Sequence, residues 1–284
     1  MRNLIVIGLL LMLPIVVDGE AVQTQEFPQT AQGYFEKGQL LRRLGDDTGA
    51  LAAYSRAAEL KSDYAVTWEM KAHSLIELER YEEALSAVNK ALSLDKNLSF
   101  ALADKGYVLS KLGQKEEAVI VYQNALSLVP KDVLGWLGQG NVYWDQGNYP
   151  KAEAAYTKAL QLEPDNADAY YERGDLNFAK KKNSKAFDDF SKAIEINPNY
   201  AKAYLMRANL YFFNPLAITK AFPDCNKAIE LNPNSSWAYS LRGSIYMIQQ
   251  NYKSARKDFE KGIELDPSCE ICKQHLEMLA GMGR

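Results

Sequence analysis

The chain has 284 residues, of which 47% are hydrophobic and 24% are charged, and its formal net charge at pH 7 is −3. These proportions are typical of a soluble globular or repeat protein. A nucleic-acid-binding protein needs a basic stripe along the phosphates, and the sequence has none, so we expect no nucleic acid among its partners.

Residues 1–21 have the layout of a secretory signal. Arg2 precedes the apolar run 4–17, and Asp18 and Glu20 follow it. Because this run is shorter than the roughly 20 residues of a spanning helix, we predict a signal peptide and export to the periplasm, the cell surface or the medium. The alternative is an uncleaved anchor formed by residues 4–17, which would leave the rest of the chain facing outward.

After a polar linker over residues 22–30, the chain repeats with a period of 34 residues. Each unit has Gly or Ala at its eighth position, Ala at its twentieth, and Ala or Gly at its twenty-seventh. Most units have an aromatic residue at position 24, and the later units end in proline. The predicted units are 31–64, 65–98, 99–132, 133–166, 167–200, 201–235 and 236–269.

These positions predict two packed helices in each unit. Positions 20, 24 and 27 share one face of the second helix, and small residues let the two helices cross closely. The large residue at position 24 then fills the groove between neighbouring units. Proline ends the second helix because it lacks an amide proton. One pair cannot bury its apolar face alone, whereas stacked pairs can.

In period and residue types, residues 31–269 resemble the tetratricopeptide repeat family. The resemblance implies an all-α fold, a right-handed superhelical solenoid of helix-turn-helix repeats whose first helices line a concave groove. Residues 270–284 lack a second helix, and their mixed polar and apolar residues suit a capping helix over the open end.

Unit 201–235 departs from the pattern in two ways. It carries one extra residue around positions 212–215, and Pro223 stands near the start of its second helix. We expect that helix to begin late or to kink. The alternative is an insertion that a surface loop tolerates.

The first helices also predict a binding surface. In the family fold, positions 2, 5, 9 and 12 face the groove. Position 9 is polar in four successive units and could hydrogen-bond an extended peptide, whose apolar side chains the neighbouring aromatic residues would hold. The alternative is that the aromatic residues pack between adjacent first helices and the polar ones only solvate the inner wall. The candidate groove residues are Phe100, Tyr107, Leu134, Leu137, Asn141, Trp144, Tyr171, Asp175, Phe178, Leu205, Asn209, Phe212, Trp237, Ser244 and Met247.

Chemistry-bearing motifs are scarce. Cys269 and Cys272 form a C-x-x-C with His275 beyond it, but a c-type haem site needs histidine where Lys273 stands, and a zinc site needs a fourth ligand. In an exported chain the two cysteines could form a disulfide. The sequence has no phosphate-binding loop and no motif around a nucleophile. We therefore predict no catalytic residues, no cofactor, no metal and no small-molecule substrate.

Together these patterns predict an exported, non-catalytic scaffold that binds a peptide segment or helix of a partner protein in its groove. One alternative is an assembly or anchoring subunit of an envelope complex that uses its convex face or its ends. Another is a metal or redox protein built on the C-terminal C-x-x-C. We expect membrane contact only if the N-terminal segment is uncleaved. Asn97 and Asn234 begin glycosylation sequons, which matter only where glycans are attached.

Overall fold

The computed structural model describes residues 27–214 and 217–283. The predicted signal peptide and most of the linker lie outside these residues. The described part of the chain contains fifteen α-helices and no β-strand. None of the helices described is both long enough and apolar enough to cross a bilayer.

Each predicted repeat corresponds to one pair of helices. The first helices are α1 (Ala31–Arg43), α3 (Ala65–Glu77), α5 (Ser99–Lys111), α7 (Val133–Asp145), α9 (Ala167–Ala179), α11 (Ala201–Phe212) and α13 (Ser236–Ile248). The second helices are α2 (Asp47–Leu60), α4 (Tyr81–Leu94), α6 (Lys115–Leu128), α8 (Tyr149–Leu162), α10 (Asn183–Ile196), α12 (Ile218–Leu231) and α14 (Tyr252–Leu265). Helix α15 (Glu270–Gly281) follows the last pair. Every first helix begins at the first residue of a predicted unit.

The chain divides into two compact units, and the first one ends at Leu94. Its helices α1 to α4 pack consecutively. The Tyr54 side chain is fully buried beside Phe35, with 5.7 Å between the two ring centroids. A Cβ atom on Gly38 would lie only 2.6 Å from the Tyr54 ring, so glycine lets α1 approach α2 this closely.

The second unit runs from Asp95 to the C-terminus and contains α5 to α15. Each of its helices packs against the next one along the chain. The ring of Tyr122 lies against Gly106 of its own pair, and its hydroxyl end lies against Gly138 of the following pair. A position-24 side chain therefore does fill the space between neighbouring pairs, as the repeat pattern predicts.

The expectation that α12 begins late is wrong. Helix α12 starts at Ile218 and has 14 residues, the same length as α10 and α14. Pro223 lies inside this helix and is exposed. Because proline has no amide hydrogen, the Thr219 carbonyl loses the hydrogen bond that residue 223 would have donated. This carbonyl lies in the first turn of the helix, where water can reach it. The inserted residue falls between the end of α11 at Phe212 and the start of α12 at Ile218.

In the second unit, each of three successive repeats contains a largely buried Arg–Asp ion pair. The repeat pattern alone does not reveal it. An arginine on the first helix donates two hydrogen bonds to an aspartate on the second helix, and its guanidinium lies over a tyrosine ring at 5.5–5.7 Å. The sequence signal is Tyr-x-x-Arg at positions 4 to 7 of the unit, with Asp on the second helix. The three sets are Tyr170–Arg173–Asp189, Tyr204–Arg207–Asp224 and Tyr239–Arg242–Asp258.

Candidate functional site

A cleft of about 520 Å³ opens between α11, α13 and α15 in the second unit. We call it the C-terminal cleft. Its walls are mostly apolar, with a few polar side chains between them. The lining residues are Asn209, Phe212, Phe213, Trp237, Ser240, Leu241, Ser244, Met247, Ile248, Ile271, Gln274, His275 and Met278.

Large apolar side chains at the rim of the C-terminal cleft are open to solvent. Phe213 is 68% exposed, Ile248 56%, Ile271 53%, Met278 51% and Trp237 44%. Single exposed apolar residues are common on protein surfaces, whereas a group of them around one depression marks an interaction surface. The cleft thus offers a connected apolar surface.

Polar side chains lie between these apolar residues in the wall of the cleft. Asn209 is 9% exposed and Ser240 is 4% exposed. Their polar atoms are not among the described buried atoms that lack a hydrogen-bond partner, which belong to Tyr54, Ser74, Gln139 and Asn177. The Ser244 hydroxyl donates to the Ser240 carbonyl at 2.9 Å. The cleft thus combines an apolar wall with a few polar side chains, the composition that binding clefts commonly have.

The C-terminal cleft brings together part of the predicted groove, namely Asn209, Phe212, Trp237, Ser244 and Met247. All five stand on α11 and α13. Helix α15 supplies the third wall, although the sequence predicts only a cap over residues 270–284. The sequence signal for this wall is the spacing i, i+3, i+4 and i+7, which places Ile271, Gln274, His275 and Met278 on one face of α15.

Two of the groove candidates are buried in the structure. Leu137 and Leu205 are 8% and 6% exposed and belong to the cores of their own pairs, so they present little surface to a partner. Asn141 is exposed, and its side-chain oxygen accepts a hydrogen bond from the Tyr156 hydroxyl at 2.6 Å. The sequence could not show that this oxygen pairs with the second helix of its own unit.

The aromatic residues of α7 and α9 pack partly within the fold. The Trp144 ring lies 5.5 Å from that of Tyr149 on α8. Tyr171 and Phe178 pack against the cluster that contains Phe190 and Met206. Because this cluster includes Met206 on α11, Tyr171 and Phe178 pack partly between adjacent first helices, as the alternative interpretation describes, whereas the Trp144–Tyr149 contact lies within one pair.

The remaining candidate residues lie outside the C-terminal cleft. Phe100 is 68% exposed, Leu134 is 70% exposed, and Tyr107 is 38% exposed. They extend the accessible apolar surface along α5 and α7, but none of them lines the cleft.

Helix α9 adds three carboxylates on the face that position 9 defines; we call Asp168, Glu172 and Asp175 the α9 carboxylates. Burial, together with the smaller effect of the Asp175 and Asp168 charges, raises the pKa of Glu172 to about 7, and Lys202 opposes the shift. Burial also raises the pKa of Asp175. Glu172 and Asp175 form no hydrogen bond with the described residues, whereas Asp168 accepts one from the Tyr200 hydroxyl at 2.7 Å.

The start of α15 carries the C-x-x-C. Cys269 and Cys272 are joined in a disulfide, and Cys272 is completely buried. The His275 ring stacks on Phe259 with 4.8 Å between centroids, and its Nδ1 lies 2.8 Å from the Ile271 carbonyl. Within the described residues, no group of three or more His, Cys, Asp or Glu side chains is placed to hold a metal ion.

Family models match most of the repeat region. Models described as "Tetratricopeptide repeat" match residues 20–65 and 137–201, residues 65–98 and residues 236–269. A model described as "TPR repeat" matches residues 106–147. Comparison with curated proteins gives no match.

Solved structures of repeat proteins share the fold. The chain of the APC/C hetero-tetramer Cut9–Hcn1 aligns over 87% of this chain with a TM-score of 0.75 and 16% identity; the alignment spans 49% of that chain, about half its length. A tetratricopeptide repeat protein from Parabacteroides merdae aligns over 89% of this chain and 99% of its own, with a TM-score of 0.65 and 22% identity. YrrB, described as having an unusual peptide-binding site, aligns over 67% of this chain and 98% of its own, with a TM-score of 0.52 and 22% identity. These likenesses confirm the predicted fold class, an all-α solenoid of helix-turn-helix repeats.

Proposed function

Because the chain belongs to the tetratricopeptide repeat family, we propose that it is a non-catalytic scaffold that binds an extended peptide segment of a partner protein in the C-terminal cleft. The observation that carries this proposal is the C-terminal cleft itself, in which the polar side chains of Asn209 and Ser240 lie among exposed apolar side chains. Proteins of this fold serve as protein-interaction scaffolds, and the cleft supplies both elements that peptide recognition needs.

The polar groups favour an extended segment over a helix. A helical ligand uses its backbone N–H and C=O groups internally, so it has few left to offer Asn209. An extended segment has both groups free, and the Asn209 amide can donate to one and accept from the other. Side chains on one side of the segment would then enter the apolar cleft, while alternate ones point to solvent.

Removing the exposed aromatic wall tests the proposal. Peptides are selected from a random phage-displayed library on the purified full chain, and the dissociation constant of the best one is measured by fluorescence anisotropy. We expect Trp237→Ala to weaken binding by about 30-fold or more, because a central tryptophan contributes about 2 kcal/mol or more to an interface. Trp237 is 44% exposed, so the substitution leaves the fold in place.

Ile120→Ala provides the matched control. Ile120 is 57% exposed on the second helix α6, far along the chain from the cleft. Binding of the same peptide should be unchanged by this substitution. Equal binding by Trp237→Ala and the unmodified chain, or a loss caused by Ile120→Ala instead, contradicts the proposal and favours a partner on the second-helix side.

We also propose that the chain is exported. The support is the charged start, the short apolar run and the small residues of segment 1–21, together with the Cys269–Cys272 disulfide, a bond that persists in oxidising compartments. The intact mass of the protein recovered from its producing cells should show an N-terminus near Glu20, outside the cytosol. A full-length N-terminus in the cytosolic fraction contradicts export, and one in the membrane fraction identifies residues 4–17 as an anchor.

A further inference from the structure

We propose that the bound segment carries a lysine or arginine a few residues away from its large apolar anchor. The inference rests on the proposed function, because it assigns the chemistry of the ligand for the same face. Its basis is that the apolar C-terminal cleft and the α9 carboxylates lie on neighbouring first helices of the repeat, since α11 supplies one wall of the cleft and α9 is the preceding first helix.

The cleft determines the apolar half of the ligand. Its accessible wall is built from Phe213, Trp237, Ile248, Ile271 and Met278, and its volume of about 520 Å³ has room for an aromatic or large aliphatic side chain. Asn209 lines the cleft and offers a side-chain amide that can donate to and accept from the ligand's backbone.

Repeat register places the carboxylates on the same face as the cleft. Asp175 occupies position 9 of its unit, and Asn209 occupies position 9 of the next unit. Glu172 lies one helical turn before Asp175, and Asp168 one further turn back, so all three lie along one side of α9. A backbone that pairs with Asn209 and continues toward α9 therefore meets these carboxylates.

The charges around Glu172 are mostly negative. Asp175 and Asp168 raise its pKa, and the charge of Lys202 opposes them. Glu172 and Asp175 form no hydrogen bond with any described side chain, and both are partly buried. Partly buried carboxylates gain more from an added ammonium or guanidinium group than exposed ones, because solvent screens the attraction less.

The spacing between the two ligand groups follows from the helix packing. Neighbouring helices lie about 10 Å apart, and an extended chain advances about 3.3 Å per residue. The basic residue is therefore expected about three to six residues from the anchor, depending on whether the anchor enters near α11 or near α13. An acidic segment would not satisfy the carboxylates.

The pH dependence of binding follows from Glu172. Its carboxyl, with a pKa near 7, faces Asp168, Asp175 and Lys202, and the Tyr156, Tyr171 and Tyr200 hydroxyls around it are protonated at neutral pH. It is mostly protonated at pH 6 and mostly ionised at pH 8, whereas a ligand lysine or arginine stays charged throughout. A basic peptide is thus expected to bind more tightly at pH 8 than at pH 6.

The library selection described above tests the inference directly. Enriched peptides should combine Phe, Trp, Leu or Ile with Lys or Arg at the stated spacing. In the best peptide, replacing the basic residue by Glu should weaken binding to the full chain at least about tenfold, equivalent to about 1.4 kcal/mol. For the Glu172→Gln/Asp175→Asn double variant, the dissociation constants of the basic peptide and of its Glu-substituted version should differ by about twofold or less.

The matched control removes two carboxylates elsewhere. Glu195 and Glu230 are 68% and 67% exposed on the second helices α10 and α12, and the Glu195→Gln/Glu230→Gln variant changes net charge equally. It should keep the full preference for the basic peptide. A measurement that needs no variant supports the same comparison: added salt should weaken the basic peptide more than a version with Gln at the basic position.

The outcomes separate this inference from the proposed function. If enriched peptides lack a basic residue, or if the Glu-substituted peptide binds as tightly as the basic one, the inference is overturned while the cleft remains the binding site. If no peptide is enriched, or if the enriched ones bind Trp237→Ala unchanged, both fail. If the Glu195→Gln/Glu230→Gln variant also loses its preference for the basic peptide, the inference is overturned, because the effect would then depend on net charge and not on the α9 carboxylates.

Discussion

Asp258→Ala is expected to lower the free energy of unfolding by about 3–5 kcal/mol, as measured by urea denaturation. The Asp258 carboxylate is 6% exposed and accepts two hydrogen bonds from Arg242, at 2.7 and 2.8 Å. Without it, the Arg242 side chain, which is 19% exposed, keeps Asn226 as its side-chain hydrogen-bond partner. A largely buried charge without its counter-ion is strongly destabilising.

Glu264→Ala on the same helix is the control. Glu264 pairs with Lys261 at 2.6 Å but is 67% exposed, so its loss should cost less than about 1 kcal/mol. The double substitution Arg242→Met/Asp258→Leu should recover most of the stability, because it removes both charges and keeps the volume. Equal losses for Asp258→Ala and Glu264→Ala would show that burial does not set the strength of this pair.

Phe190→Ala is expected to cost a similar amount, about 3–5 kcal/mol, because it removes a fully buried ring from the contact between α9 and α10. Phe100→Ala provides the matched control, since Phe100 is 68% exposed and its loss should change the free energy of unfolding by less than about 0.5 kcal/mol. Comparable losses in the two variants would contradict the assignment of Phe190 to the core.

The glycine facing Phe190 gives this second prediction a coupled partner. A Cβ atom on Gly174 would lie 2.8 Å from Cε1 of Phe190, so Gly174→Ala should destabilise the unmodified chain. In the Phe190→Ala background the same substitution should cost less, because the contact with the ring is removed and only the Asp189 Cβ atom at 3.2 Å remains close. An equal cost in both backgrounds would mean that the ring and the glycine are not coupled.

The repeat register could be predicted from the sequence because the packing constraint is local. Glycine at position 8 and an aromatic ring at position 24 meet within one pair, so the same spacing recurs wherever the pair recurs. The prediction for α12 was wrong because it considered only that residue 223 is a proline and not where in the helix this proline lies. Its effect depends on which carbonyl it leaves unpaired, and near a helix start that carbonyl is accessible to water.

The candidate site could be predicted only in part, because it depends on contacts between units. The helical register placed Trp237 and Met247 on the correct face, but it could not show that Leu205 at position 5 turns into the core. It could not show that Tyr156 takes the Asn141 oxygen, since that bond joins positions on different helices. The third wall of the cleft comes from α15, whose docking depends on Cys272 and Leu279 packing against Phe259.

The most direct test of the peptide-binding cleft is to locate the bound peptide. A photo-crosslinking aromatic residue replaces the apolar anchor of the selected peptide, and the crosslinked fragments of the full chain are identified by mass spectrometry. We predict crosslinks to α13 and α15, within residues 236–248 and 270–281. Crosslinks confined to the second helices α8, α10 and α12 would contradict the account and place the partner on the opposite side of the repeat.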